Sequence, residues 1–138
     1  MSVAEQAEDI VAEFAFFDDW EDRYQHLIDL GRRLPALDDR YKTEDYRLRG
    51  CQSVVHFAAE YDAPHMTYHA GSDAAIVQGL IAVMMRVYSG QTPQDIIATP
   101  PDFLNEIGLD EHLSPTRKNG LASMVTAIMA SAQNAAKD

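Results

Sequence analysis

The sequence predicts an α+β domain in which a small antiparallel β-sheet packs against several α-helices. Three observations carry that expectation. Apolar residues recur at helical spacing up to about residue 34, alternate with period two between Ser53 and Tyr68, and then return to helical spacing. Helices before and after one run of strands make α+β, not alternating α/β. The 138 residues, 46% of them apolar, suffice for one core, and no internal repeat or compositional break divides them, so residues 1–138 are read as a single domain.

Two amphipathic helices open the chain. Val3, Ala7, Ile10, Val11 and Phe14 share a face, and Phe17 closes that segment. Asp18 and Glu21 are spaced as a capping box for the next helix, with Trp20, Tyr24, Leu27 and Ile28 as its apolar stripe and Pro35 as its stop. The stretch "ALDDRYKTEDYRLRG" has no period and reads as a long loop. "SVVHFAAEY" places Val55, Phe57, Ala59 and Tyr61 on one strand face; "DAP" is a turn, and Met66 and Tyr68 alternate in the returning strand. Ser72 or Asp73 is expected to cap a helix from Ala74 to about Ser89, apolar nearly all round and therefore central. Gly79 inside it costs roughly 1 kcal/mol relative to Ala, which implies close packing against another backbone. Thr92-Pro93 and Pro101-Asp102 start two short helices, Gly108 ends the second, and Ser114-Pro115 begins a last helix with Leu121, Met124, Val125, Ile128, Met129 and Ala132 as its stripe.

Composition narrows the function. Eleven basic residues against 22 acidic ones disfavour nucleic acid and anionic membrane as partners. The acidic start shows no signal-peptide pattern, and the longest apolar stretch is interrupted by Gln78 and Arg86, so a cytoplasmic protein is expected. Six of the eleven basic residues lie between Gly31 and Gly50 with only four acids, so the basic character collects just ahead of the only cysteine, Cys51.

Cys51 stands in "RLRGCQSVVHF", where the chain should be turning. Valine at position 54 excludes a Cys-x-x-Cys redox pair, and one thiol cannot make a thiolate-rich zinc or iron–sulfur site. His65 and His69 have a metal-like spacing, but on a strand they lie roughly 13 Å apart, so no metal is expected. Gly50 supplies backbone freedom for a mobile turn. Arg47 and Arg49, four and two residues earlier, fall on the thiol's side of an extended chain, where cations favour the thiolate. On the residues alone three readings stay open: an inert buried Cys, a hydrolase with a distant His, and a thiol that accepts and passes on a group.

The pieces "WEDRYQHLIDLGRRLP", "GCQS", "GSDAAIVQGLIAV", "TPQDI" and "HLSPTRKNGL" follow one another from Trp20 to beyond Leu121. In them the chain resembles SufE, the sulfur acceptor of a cysteine desulfurase in iron–sulfur cluster assembly. The resemblance implies a SufE/IscU-like fold and a non-enzymatic carrier. A SufS-type desulfurase, which keeps the pyridoxal phosphate, would pass persulfide sulfur to Cys51 on a loop supported by Gly50, Gln52 and Ser53. The desulfurase would be stimulated, and a SufBCD-type scaffold would receive the sulfur downstream; this chain needs no cofactor. Asp73 and Arg117 match an acidic residue near the sulfur loop and an arginine at the desulfurase contact. Gln52-Ser53 favours this branch over the CsdE type, which would serve another desulfurase and a pathway such as tRNA modification. His56 stands where the family commonly has tryptophan. A free thiol of this kind is exposed to oxidation. Cys51 is therefore expected to rest against the apolar hairpin or the central helix and to swing out on docking.

Overall fold

Serine followed three residues later by glutamate starts the first helix, α1 (Val3–Phe14), as a reciprocal box: the Glu5 N–H donates to Ser2 Oγ and the Ser2 N–H to Glu5 Oε1, both at 3.1 Å. The computed structural model describes residues 1–137. Val3, Ala7, Ile10 and Phe14 are buried along one face. The second helix, α2 (Trp20–Arg33), begins one residue later than the spacing suggests. Asp19, not Asp18, is its cap, accepting from the Asp22 N–H at 2.9 Å. Proline at 35 pushes Leu34 to an extended ψ of 130°, which ends the helix at Arg33.

The hairpin pairs β1 (Val55–Asp62) with β2 (His65–Ser72) antiparallel, Val55 opposite Ser72 and Tyr61 opposite Met66, with a cis Ala63–Pro64 bond in the turn. Its parity is the expected one, but burial is not. Ala59 and Tyr61 share the face of Val55 and Phe57 yet stay exposed, because the central helix packs mainly on β2 and leaves the outer half of β1 uncovered. Met66, Tyr68 and Ala70 of β2 are buried instead, and the Tyr68 hydroxyl donates to the Ile128 carbonyl at 3.1 Å. Ala58 is buried on the opposite face, which the segment before the hairpin covers. There Leu37 lies against Gly71, while Tyr41 stacks on His69 at 4.8 Å and donates to the Glu60 carboxylate. The long loop, with 3-10 turns at Asp39–Tyr41 and Glu44–Tyr46, is thus a lid over half of the sheet's second face.

Helix α3 (Ala75–Tyr88) occupies the centre and is buried over most of its circumference. Neither Ser72 nor Asp73 caps it: Ala74 holds the N-cap position with no side-chain bond, while Ser72 Oγ accepts from the Ala74 N–H at 3.2 Å. Gly79 does what its cost implies. A Cβ there would collide with the Leu27 carbonyl, and one on Gly31 would sit 2.7 Å from the Gly79 nitrogen, so α2 and α3 touch backbone to backbone. Two short helices follow as expected, α4 (Pro93–Ala98) and α5 (Phe103–Ile107); α6 (Leu109–His112) is one further turn that the spacing does not signal. The last helix, α7 (Pro115–Ala136), capped by Ser114, buries Leu121, Met124, Ile128 and Ala132 of the expected stripe, with Val125 and Met129 half-buried. Among the described residues no helix is long and apolar enough to cross a membrane.

Candidate functional site around Cys51

The loop that carries Cys51 is closed at its neck by the sheet. The Leu48 N–H donates to the Val55 carbonyl at 2.9 Å, and Arg47 forms a bridge with His56, so residues 49–54 project as a short tongue. Gly50 adopts φ +87°, a left-handed conformation that L side chains rarely adopt, and a Cβ there would lie 2.5 Å from the Ser123 hydroxyl of α7. The reversal folds the next residue back onto α7. Cys51 is half-buried, and its Sγ lies 3.8 Å from the Gly120 carbonyl, which accepts the S–H.

This tongue forms one wall of a cavity of about 500 Å³. Cys51, Gln52 and Ser53 face Val77 and Leu80 of α3 on one side. On the other side stands the start of α7, including Arg117 and Gly120. Arg117 Nη1 donates to the Tyr24 hydroxyl of α2 at 2.9 Å. No histidine lines this cavity among the described residues, so a Cys–His hydrolase pair is not assembled here. His56 turns to a separate space of about 370 Å³ behind the tongue, which it shares with Lys42 and Asp73.

The electrostatics depart from the sequence expectation. Burial pushes the Cys51 thiol above its usual 9.0, and the charge of Arg47 opposes this only in part. Cationic neighbours therefore do not lower it in this state. Arg49 contributes nothing, because the turn at Gly50 separates it from the thiol and it pairs with Glu44 at 2.6 Å on the surface. Arg47 stays with the loop's neck, half-buried, its Nε enclosed and without a hydrogen-bond partner.

Of the residues singled out in the sequence, the structure brings Cys51, Gln52, Ser53 and Arg117 to one cavity, with Gly50 as the pivot and Arg47 at the neck. Asp73 is exposed on the far side of the tongue, and Arg49 points outward. The resting place of the thiol is α7 at least as much as α3. Sequence reasoning missed Gly120 and Met124 as cavity wall and Ser123 behind the turn. The spacing of Arg117, Gly120, Leu121 and Met124 on one helical face was the available signal.

Comparison with known proteins shows the family. The SufE family profile, described as a Fe-S metabolism associated domain, matches residues 8–132. An uncharacterized SufE-like protein of Rhizobium meliloti is 39% identical over 129 residues, 90% of this chain and 92% of that protein. Another from Rhizobium etli is 41% identical over 124 residues, 86% of this chain and 84% of its own length. A hypothetical protein from Thermus thermophilus, solved in solution, superposes with a TM-score of 0.76 over 96% of this chain and 97% of its own; at 19% identity it speaks for the fold alone. With one family profile spanning nearly its whole length and relatives near 40% identity over most of theirs, the chain belongs to the SufE family.

Proposed function

We propose that this protein is a sulfur carrier that takes persulfide sulfur from a cysteine desulfurase onto Cys51 and hands it on for iron–sulfur cluster assembly. The observation that carries the reading is the seat of the chain's one thiol: a tight reversal at Gly50 lays it over a cavity of about 500 Å³, ample for one more sulfur. The thiolate attacks the outer sulfur of the donor persulfide, as in thiol–disulfide exchange, and the donor leaves as a thiolate. Removing that sulfur frees the desulfurase for its next turnover, which accounts for stimulation. The partner is of the SufS type and retains the pyridoxal phosphate; a SufBCD-type scaffold is the receiver. Gln52-Ser53 supports this branch over a CsdE-like one.

The half-buried, proton-bearing thiol supports a resting state in which the tongue is closed, with docking as the event that draws it out. Intact mass after mixing the protein with a SufS-type desulfurase and L-cysteine tests the reading. A reductant-sensitive gain of about 32 Da at Cys51, absent in Cys51→Ser, is expected. No gain together with unchanged desulfurase turnover sinks it.

A further inference from the structure

The cavity beside Cys51 contains a cation whose position is set from a third element. Arg117 lies one turn of α7 before Gly120, the residue whose carbonyl meets the thiol. A rise of three residues separates them by about 4.5 Å along the axis. Both belong to the face that walls the cavity. The guanidinium is tethered: Nη1 donates to the Tyr24 hydroxyl at 2.9 Å, and its carbon lies 5.9 Å from the Tyr24 ring centroid. The rest of the wall is apolar or uncharged, with Val77 and Leu80 from α3 and Ser114 and Thr116 from the start of α7. Among the described residues no carboxylate lines the cavity; Arg117 is the one charged residue in its wall, while Arg47 at the loop's neck is the cation that acts on the resting thiol. Lys118 turns to a groove on another side of α7.

Such a wall matches an anion better than the neutral thiol. The Gly120 carbonyl accepts an S–H but repels a sulfur anion, so the resting contact cannot hold ionised sulfur. A persulfide is longer by one sulfur, and Cys51, which would bear it, lines the cavity. A hydropersulfide is also more acidic than its parent thiol, so the added sulfur arrives as an anion at neutral pH.

We propose that Arg117, positioned by Tyr24, is the counter-ion that holds the terminal sulfur of the Cys51 persulfide inside this cavity between loading and delivery. The proposal rests on the carrier reading above. In loading, the Cys51 thiolate attacks the donor's outer sulfur; the Cys51 S–S bond forms as the donor's S–S bond breaks, and the donor leaves as a thiolate. That thiolate, or solvent, takes the proton of Cys51–S–SH, so atoms and electrons balance with no oxidant. Arg117 faces the resulting Cys51–S–S⁻. Tyr24 touches no sulfur and acts only through Arg117.

Inorganic polysulfide loads Cys51 without a desulfurase, and iodoacetamide capping of the loaded protein, followed by intact mass across acidic to alkaline pH, reads the ionised persulfide. Arg117→Gln should move the midpoint to higher pH and cut capping at the acid end on the order of three- to ten-fold. Arg117→Lys should restore most of it, and Tyr24→Phe should move the profile in the same direction by less. Coincident profiles for the parent and Arg117→Gln overturn the proposal; an unmoved Tyr24→Phe overturns the positioning role. If Arg117→Gln does not fold, Tyr24→Phe carries the test, since it removes one hydroxyl and keeps both the ring and the arginine. Failure of polysulfide to add about 32 Da at Cys51 has a different signature and brings down the carrier reading itself.

Discussion

Cys51 and Gly120 are 69 positions apart in the chain, yet the thiol of one donates to the carbonyl of the other across 3.8 Å. Burial at that position raises the thiol above its usual range, while Arg49 stays apart on the surface, paired with Glu44. That burial sets the resting reactivity of the protein.

Alkylation of Cys51 in the free protein is therefore expected to be slower than that of an unhindered peptide thiol. Its pH profile should be displaced to higher pH, because burial outweighs the nearby cation. Arg47→Gln removes the one opposing charge and should displace the profile further in the same direction. Arg49→Gln should leave it in place, because that side chain is spent on Glu44. Iodoacetamide rates followed by mass check all three, and equal effects of the two arginines would refute the assignment.

Gly50→Ala should strain the tongue twice, through its φ of +87° and through a Cβ set 2.5 Å from Ser123 Oγ. A cost of about 1–2 kcal/mol is expected from the backbone alone. Adding Ser123→Ala relieves the collision but not the torsion, so denaturant melts should show partial recovery. Sulfur loading from the desulfurase should fall in both variants.

Gly79→Ala places a methyl in the Leu27 carbonyl, where neither backbone can yield cheaply. The better helix propensity of Ala, worth about 1 kcal/mol, does not offset the overlap. A net loss of about 1–3 kcal/mol in a denaturant melt is expected. An unchanged or raised midpoint would mean that α2 and α3 separate more easily than their contact suggests.

Glu13 supplies an acid-sensitive element far from the thiol. Burial works to raise its carboxyl, but its bonds to His26 at 2.8 Å and Arg86 at 2.9 Å win and hold it below the usual 4.5. A carboxylate depressed in the folded state adds stability above its unfolded value and loses that stability as pH falls through its folded value. Stability of the parent should thus drop through the acidic range, and Glu13→Gln should be less stable near neutrality with a flatter acid limb. Denaturant melts at several pH values distinguish this from a uniform loss.

Much of the architecture is legible in the chain. Ser2 with Glu5, Ser114 and the Thr92-Pro93 pair mark helix starts because capping needs only residues a few positions away. Gly79 announced a backbone contact through its cost, though not its partner in α2. Errors gathered where spacing allows two choices or a distant element takes over a local task. Asp18 and Asp19 both offer a cap by spacing, and the structure uses Asp19. Ala58 and Ala59 exchange burial because the segment before the hairpin covers the sheet's second face. No strand period can report that cover.

The sequence by itself determined that one thiol exists, that it sits at a turn before a hairpin, and that its neighbours spell a SufE pattern. Only the tertiary structure decided the state of that thiol. Ionisation depends on desolvation and on nearby charge: the walls that bury the thiol come from α7 and α3, far along the chain, and they outweigh the one opposing charge, Arg47 in the loop's own neck. Arg49 is two residues from Cys51 and electrically absent; Arg117 is 66 residues away and stands in the same cavity.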